Sequence, residues 1–197
     1  MKALVIYVHP VDGSFNCAIR DAVIKGLTTA KHDVRLRDLY AENFNPFLSA
    51  AERALHHTAP TTRPELARDV EDLRWCEAIV FVYPTWWSGL PAMLKGWIDR
   101  TWMNEVAWVL PPGANTIRPR LTNITRLVAV TTHGSSKFIN ALQGEPGKRT
   151  ISRSIRVMCN KFCRARWIAL YGLDKSTDEQ RQKHLATIGQ RVVRALR

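Results

Sequence analysis

Three short segments of the chain carry side chains suited to a flat, phosphorylated ligand. HPVDGSFN, at residues 9–16, has a glycine, a hydroxyl and an amide where a helix would begin, so backbone N–H groups and side-chain donors meet the positive end of the helix dipole. YPTWWSG, at residues 83–89, has two adjacent tryptophans, and TTHGSS, at residues 131–136, offers hydroxyl groups and a histidine. The first segment suits phosphate, the second an aromatic ring system, and the third the polar edge of a ring.

Each segment also has a simpler interpretation. HPVDGSFN could be an ordinary capped turn, with Ser14 or Gly13 as the cap, since it lacks both the GKS or GKT of a P-loop and the GxGxxG dinucleotide motif. The tryptophans could decorate a loop after a buried strand, and His133 could point to solvent. A ligand site therefore requires that the three segments meet in the fold.

Hydrophobic patterning places each segment at the end of a strand. Apolar runs predict five strands, at residues 3–8, 33–39, 78–83, 127–132 and 167–173. Helical spacing predicts helices at residues 15–30, 64–76, 91–102, about 151–162 (a basic amphipathic helix) and from a Ser176/Glu179 capping box onwards. Residues 40–63 are expected to be irregular apart from a short helix in AAERALHH.

Strands that alternate with helices indicate an α/β fold: a doubly wound, five-stranded parallel sheet with helices on both faces. In such a sheet the turns after strands one, three and four share one edge, so the three segments can converge on one ligand. The 197 residues suit a single domain, residues 1–197, with an excursion at about residues 106–123.

Composition narrows the class of protein. No apolar run approaches twenty residues, so we expect no membrane span and a cytoplasmic location. Cys159 and Cys163 are one helical turn apart, but without a second His/Cys pair nearby we expect buried thiols and no metal site. The net charge of +12 could serve nucleic acid, a phosphorylated cofactor or a solvated surface. No nucleic-acid-binding motif accompanies it, so specific nucleic-acid binding is the least favoured.

Four motifs together resemble one family. They are HPxxxSFNxA at residues 9–18, PxxWxxxPAxLKGWxxR at 84–100, VTTxG at 130–134 and LQG at 142–144. The chain is similar there to the flavodoxin-like NAD(P)H:quinone oxidoreductases, the family of DT-diaphorase and the potassium-efflux ancillary reductases. The resemblance implies a flavodoxin-like fold, a flavin (FAD, with FMN as the alternative) and a homodimer.

The resemblance also implies a two-step reaction, in which hydride passes from NAD(P)H to flavin N5 and, after the nicotinamide leaves, to a quinone or similar acceptor. By the same resemblance, the flavin's phosphate part is held by His9, Ser14, Phe15 and Asn16. Its ring is bordered by Thr85, Trp86, Trp87 and Ser88, and its ribityl and pyrimidine side by Thr131, Thr132, His133 and Gly134. His133 and Trp87 are the candidate catalytic residues, and Trp102 and Trp108 the candidate substrate contacts.

The chain departs from the family in one respect that bears on catalysis. Diaphorase-type members have a Tyr and a His after the VTTGG turn that help to balance charge on the reduced flavin, whereas this chain reads SSKFINALQGEPG. Either His133 or Lys137 substitutes for that pair, or backbone donors suffice. Two alternative functions are considered beside the oxidoreductase: a flavin-binding regulatory subunit of a membrane ion-efflux system, and a nucleic-acid-binding protein that uses the basic face.

Overall fold

The computed structural model describes residues 1–57 and 63–197. Its strands are β1 (Lys2–Tyr7), β2 (Asp33–Asp38), β3 (Ala78–Pro84), β4 (Trp108–Val109), β5 (Arg118–Pro119), β6 (Arg126–Thr132) and β7 (Arg164–Leu170). Its α-helices are α1 (Phe15–Thr29), α2 (Ala50–Ala54), α3 (Ala67–Trp75), α4 (Ala92–Thr101), α5 (Lys137–Leu142), α6 (Pro146–Arg149) and α7 (Asp178–Ala195). No helix in these two ranges is long and apolar enough to cross a membrane.

Five strands form one parallel sheet in the order β2-β1-β3-β6-β7. The order reverses between β1 and β3, so the carboxyl ends of β1, β3 and β6 lie side by side. The predicted doubly wound α/β fold with helices on both faces is thereby confirmed. The excursion at residues 106–123 contains a short antiparallel pair, β4 with β5.

The core has two layers, one on each face of the sheet. On one face α1 and α7 pack together, and they approach so closely that a Cβ on Gly26 would lie 2.6 Å from the Cα of Gly189. On the other face, side chains of α3, α4 and the segment after α6 surround alternate residues of β1, β3 and β6. Because β3 is covered on both faces, all seven of its residues are buried, and this explains its uninterrupted apolar sequence.

The basic helix and the last strand differ most from their predicted boundaries. The basic helix begins earlier, at α6, continues through a π-helical segment, Thr150–Ile155, and a 3₁₀ turn, Arg156–Met158, and ends there with Phe162 exposed. It ends because the chain is drawn to the neighbouring turn, where the Leu121 amide donates to the Met158 carbonyl and the Asn160 amide to that of Ile124. Strand β7 starts at Arg164 because the charged residues there pair with β6.

The capping box of the last helix lies one residue later than predicted. Thr177 and Gln180 form it, and the side chain of each accepts the other's backbone N–H. Ser176 instead donates its hydroxyl to the Leu173 carbonyl at 2.7 Å, in the turn before the helix. The short helix expected in AAERALHH is α2, whereas residues 58–62 of the region predicted to be irregular lie outside the described residues.

Candidate functional site

A cavity of about 510 Å³ opens at the carboxyl ends of β3 and β6. Its lining comes from the turns after both strands and from α5: Thr85, Trp86, Trp87, Ser88, His133, Gly134, Ser135, Asn140 and Gln143. The turns after β3 and β6, which the sequence singled out, therefore share one cavity.

One wall of this cavity, here called the polar wall, is a buried hydrogen-bond network centred on His133. The Oγ1 of Thr85 lies 2.8 Å from that of Thr131 and 3.3 Å from Nε2 of His133. On the other side of the ring, His133 Nδ1 lies 2.7 Å from Oδ1 of Asn140, whose amide nitrogen donates to the carbonyls of Ser135 and Ser136. Because Asn140 presents its oxygen, Nδ1 of His133 carries the proton and Nε2 is the acceptor.

Burial determines the charge of His133. The side chain is only 3 % exposed. Burial lowers the pKa of His133 below its ordinary value, although the Asn140 hydrogen bond and the charge of Glu145 act in the opposite direction. The imidazole is therefore neutral at pH 7.

Behind His133 lies a second layer of polar groups. The Tyr171 ring stacks on the imidazole, with 4.5 Å between ring centroids, and its hydroxyl donates to Oε1 of Glu145 at 2.6 Å. Burial, followed by the bond to Glu145, raises the pKa of Tyr171 to about 12. Burial acts to raise the pKa of Glu145, but bonds from Lys148 and Tyr171 outweigh it and lower that pKa. A carboxylate thus lies two contacts from the imidazole.

A second part of the lining, here called the aromatic turn, is exposed and conformationally strained. Trp86 is 41 % exposed and Trp87 is fully exposed, at 102 %. Trp87 and Ser88 have φ values of 49° and 61°, in the left-handed region that residues with a side chain rarely adopt. The turn is closed by the Gly89 amide, which donates to the Trp86 carbonyl at 3.0 Å, and Ser88 is hydrogen-bonded to Gln143.

The segment after β1 lies beside the cavity and does not line it. Ser14 caps α1 by accepting from the Cys17 amide at 3.2 Å, as one of the two predicted caps. The ring of His9 lies 6.3 Å from that of Trp86, next to the aromatic turn. Asn16 is buried, and its amide nitrogen donates to Oγ1 of Thr132 at 3.1 Å, while its Oδ1 has no hydrogen-bond partner among residues 1–57 and 63–197. The sequence predicted that the side-chain amide of Asn16 is free to donate to the cofactor, but that amide donates to Thr132 within the fold.

The structure does not bring Trp102 and Trp108 to this cavity. Their side chains are 9 % and 8 % exposed and belong to the core on the α4 face of the sheet. The indole N–H of Trp108 donates to the Trp102 carbonyl at 3.0 Å, and its ring packs against His56 and His57. This burial favours a packing role over contact with a substrate.

Lys137, Cys159 and Cys163 also lie outside the lining of the first cavity. Lys137 lines a neighbouring cavity, so of the two side chains considered for charge balance only His133 faces the first cavity. Cys159 and Cys163 are buried thiols in the core. Within residues 1–57 and 63–197, no group of three or more His, Cys, Asp or Glu side chains is arranged to hold a metal ion.

Sequence reasoning missed five residues of the site and its second layer: Ser135, Asn140, Gln143, Glu145 and Tyr171. Gln143 belongs to the LQG motif and Ser135 to the TTHGSS turn, so both carried a signal. Tyr171 directly follows β7, whose carboxyl end meets the same sheet edge. No pattern marked Asn140 or Glu145.

Comparison with known proteins gives a consistent family. A protein-family model described as "Flavodoxin-like fold" matches residues 1–192. The chain is similar to NAD(P)H dehydrogenase (quinone) 1 of Rattus norvegicus, with 27 % identity over 166 residues, which cover 76 % of this chain and 60 % of the relative. It therefore spans less than two thirds of that relative's length.

Two solved structures match over nearly their full length. One is an NAD(P)H:quinone oxidoreductase from Methanothermobacter marburgensis, with a TM-score of 0.83, 25 % identity, and coverage of 100 % of this chain and 99 % of that one. The other is Smu.1420 from Streptococcus mutans UA159, with a TM-score of 0.81, 28 % identity, and coverage of 96 % and 97 %.

Proposed function

This chain belongs to the flavodoxin-like fold family, and from that premise we propose that it is a flavin-dependent oxidoreductase. It would transfer a hydride from NAD(P)H to a quinone or a similar small acceptor. The names of the rat relative and of the Methanothermobacter structure, both NAD(P)H-dependent and quinone-linked, support this reaction class.

The observation that carries the proposal is the contrast between the two walls of the cavity. A fully exposed tryptophan on a strained turn lines the same cavity as a polar wall whose groups are fixed by hydrogen bonds. The cavity volume, about 510 Å³, lies in the range of cofactor sites. A planar ring with one apolar face and one hydrogen-bonding edge is complementary to this arrangement.

The residues present also fit the rest of a flavin. At the start of α1 the Cys17 and Ala18 amides already donate to Ser14, whereas no hydrogen bond among the described residues uses the amides of Phe15 and Asn16. These two amides can donate to a phosphate, and the helix dipole favours its charge. The buried, unpartnered Oδ1 of Asn16 can accept from a hydroxyl of a ribityl or ribose chain. His9, Ser14, Phe15 and Asn16 would hold this part of the cofactor.

When bound, the flavin supplies the redox chemistry by accepting a hydride from NAD(P)H at N5 and releasing it to the acceptor in a second, ping-pong step. The protein's residues would orient the ring. Thr85, held by Thr131, and His133, held by Asn140, present a fixed polar edge without reorganisation. Negative charge in the cavity would raise the pKa of His133, and Glu145 behind Tyr171 already acts in that direction.

Three finer points belong to the same proposal. We assign FAD as the cofactor with FMN as the alternative, and a cytoplasmic homodimer as the working form. The dimer is supported by exposed apolar side chains around the cavity, namely Trp87, Phe138 and Leu142. A partner subunit covering them would close the site against water.

Mass spectrometry of the cofactor released from the purified protein tests the proposal. We expect a flavin at close to one per chain, and its mass distinguishes FAD from FMN. A protein purified without flavin that also fails to bind added FAD or FMN would contradict the proposal.

A further inference from the structure

A second cavity, of about 460 Å³, lies along the outer side of β7. It is lined by Lys137, Lys148, Ile151, Ser152, Ala165, Arg166, Trp167, Ala169, Tyr171 and Arg191. Its volume is in the range of small-molecule sites. Nothing in the proposed reaction so far uses it.

The charge of this second cavity is strongly positive. Four cations converge on it from α5, α6, β7 and α7: Lys137, Lys148, Arg166 and Arg191. Of these four cations, only Lys148 has a carboxylate within ion-pair distance among the described residues, namely Glu145 at 2.8 Å. Cations gathered in a concave site with so little compensating charge attract an anion.

Protection of a sheet edge does not explain this arrangement. Basic residues on an edge strand discourage pairing with another chain, which accounts for Arg164 and Arg166 on β7. It does not account for Lys137 and Arg191, which reach the same cavity from helices. The convergence of separate elements is the feature expected of a binding site.

The remaining lining suits more than a bare phosphate. Trp167 and Tyr171 are half-buried and offer aromatic surface, and the Trp167 indole N–H donates to the Tyr171 hydroxyl at 3.2 Å. Among the strands of the described residues, β7 pairs only with β6, so its outer backbone groups remain available. A ligand that is complementary to this lining has an anionic group, an aromatic ring and hydrogen-bonding groups, and a phosphorylated nucleoside has all three.

The two cavities share walls. The Tyr171 ring, in the second cavity, stacks on His133, in the first. Lys137 and Asn140 lie on the same short helix, α5, and a separation of three residues corresponds to roughly 4.5 Å along its axis. A dinucleotide is several times longer than that separation, so one molecule is long enough to reach from one cavity to the other.

We propose that the second cavity binds the 2′-phosphoadenosine end of NADPH and so makes NADPH, not NADH, the preferred hydride donor. The inference rests on the proposed function, because it places the nicotinamide of the same molecule in the first cavity. Arg166 and Arg191 hold the 2′-phosphate, and Trp167 and Tyr171 contact the nucleoside. NADH lacks the only group that these guanidinium groups recognise.

Calorimetric titration of the purified 197-residue protein with 2′,5′-ADP and, separately, with 5′-AMP tests the site directly. We expect 2′,5′-ADP to bind at least about tenfold more tightly, since charge-assisted bonds to the added phosphate are the difference. The preference should shrink as salt is raised. Equal affinities for the two nucleotides, or no binding of 2′,5′-ADP, would overturn the inference.

Variants locate the effect. Arg166→Gln and Arg191→Gln should each weaken the binding of 2′,5′-ADP by about tenfold. Each should also reduce the preference for NADPH over NADH in kcat/KM. The matched control is Arg164→Gln, two residues away on the same strand and outside the cavity lining. A loss in Arg164→Gln equal to that in Arg166→Gln would mean a general effect of surface charge and would contradict the site.

Failure of this inference and failure of the proposed function give different results. A flavin-containing protein that is reduced equally by NADH and NADPH and ignores 2′,5′-ADP would remove the phosphoadenosine site and leave the function standing. A protein that contains and binds no flavin would contradict the function, and with it the assignment of NADPH as hydride donor, whatever nucleotide it binds.

Discussion

The two walls of the first cavity are stabilised in different ways. On the polar wall, Thr131, Thr132, His133 and Asn140 are buried, and each is hydrogen-bonded within the fold. On the aromatic turn, Trp87 contributes nothing to the core and holds a left-handed backbone that costs on the order of 1–3 kcal/mol. The hydrogen bonds of the fold therefore hold one wall in place, whereas the other is maintained at a cost that the proposed ligand would explain.

The sharpest test of whether the aromatic turn contributes to folding compares Trp87 with a core tryptophan, Trp97, in the cofactor-free protein. Trp97 is fully buried, and its indole N–H donates to Asp69 at 2.6 Å, so Trp97→Ala should lower the free energy of unfolding by about 3–5 kcal/mol. Trp87→Ala should change it by less than about 0.5 kcal/mol. Urea denaturation of both variants measures this, and a large loss in Trp87→Ala would show that the turn has a structural role.

The same Trp87→Ala variant should affect binding. Loss of an aromatic contact with the flavin ring should weaken flavin affinity by about tenfold. Quenching of flavin fluorescence on titration with the protein gives the dissociation constant. An unchanged constant would place the ring away from the aromatic turn.

Asn16 connects the segment after β1 to the polar wall, so its removal should affect both stability and binding. Asn16→Ala and Thr132→Val should each lower the free energy of unfolding by about 1 kcal/mol, because each removes the bond between α1 and β6. In the double variant the losses should not add. Asn16→Ala should also weaken the binding of the cofactor. An unchanged affinity would mean that the phosphate part of the cofactor binds elsewhere.

The smallest expected effect is the pH dependence contributed by His133. Its pKa in the folded protein lies below the ordinary value of 6.5 because it is buried. The folded state thus binds fewer protons than the unfolded state, so this contribution to stability is complete above pH 6.5 and is lost as the pH falls through the folded value.

Comparison of the wild type with His133→Gln isolates this contribution from that of other buried histidines, such as His184, whose pKa burial lowers to about 4. The stability difference between the two proteins should shrink as the pH falls below 6.5. A difference that is constant with pH would contradict a buried, neutral imidazole.

The sequence was sufficient for those parts of the site that follow from topology. The apolar runs that became β1, β3 and β6 indicated a parallel sheet, and in such a sheet the turns after these strands share an edge. Topology alone therefore predicts that Thr85, Trp87 and His133 lie near one another, and all three line the first cavity.

Long-range contacts limited the rest. Asn140 reaches His133 only because α5 turns back over the end of β6, and Tyr171 does so only through the register of β7 on β6. The sequence predicted Ser176 and Glu179 as the capping box of the last helix, but Thr177 and Gln180 form it, because the Ser176 hydroxyl donates to the Leu173 carbonyl in the preceding turn. These outcomes depend on tertiary contacts that no local pattern encodes.

An anaerobic absorbance titration of the purified protein tests the central claim most directly. Addition of NADPH should bleach the flavin band, and subsequent addition of a quinone should restore it, with one hydride equivalent consumed at each step. A flavin band that neither NADPH nor NADH bleaches without oxygen would contradict the account of this cavity as the site of hydride transfer.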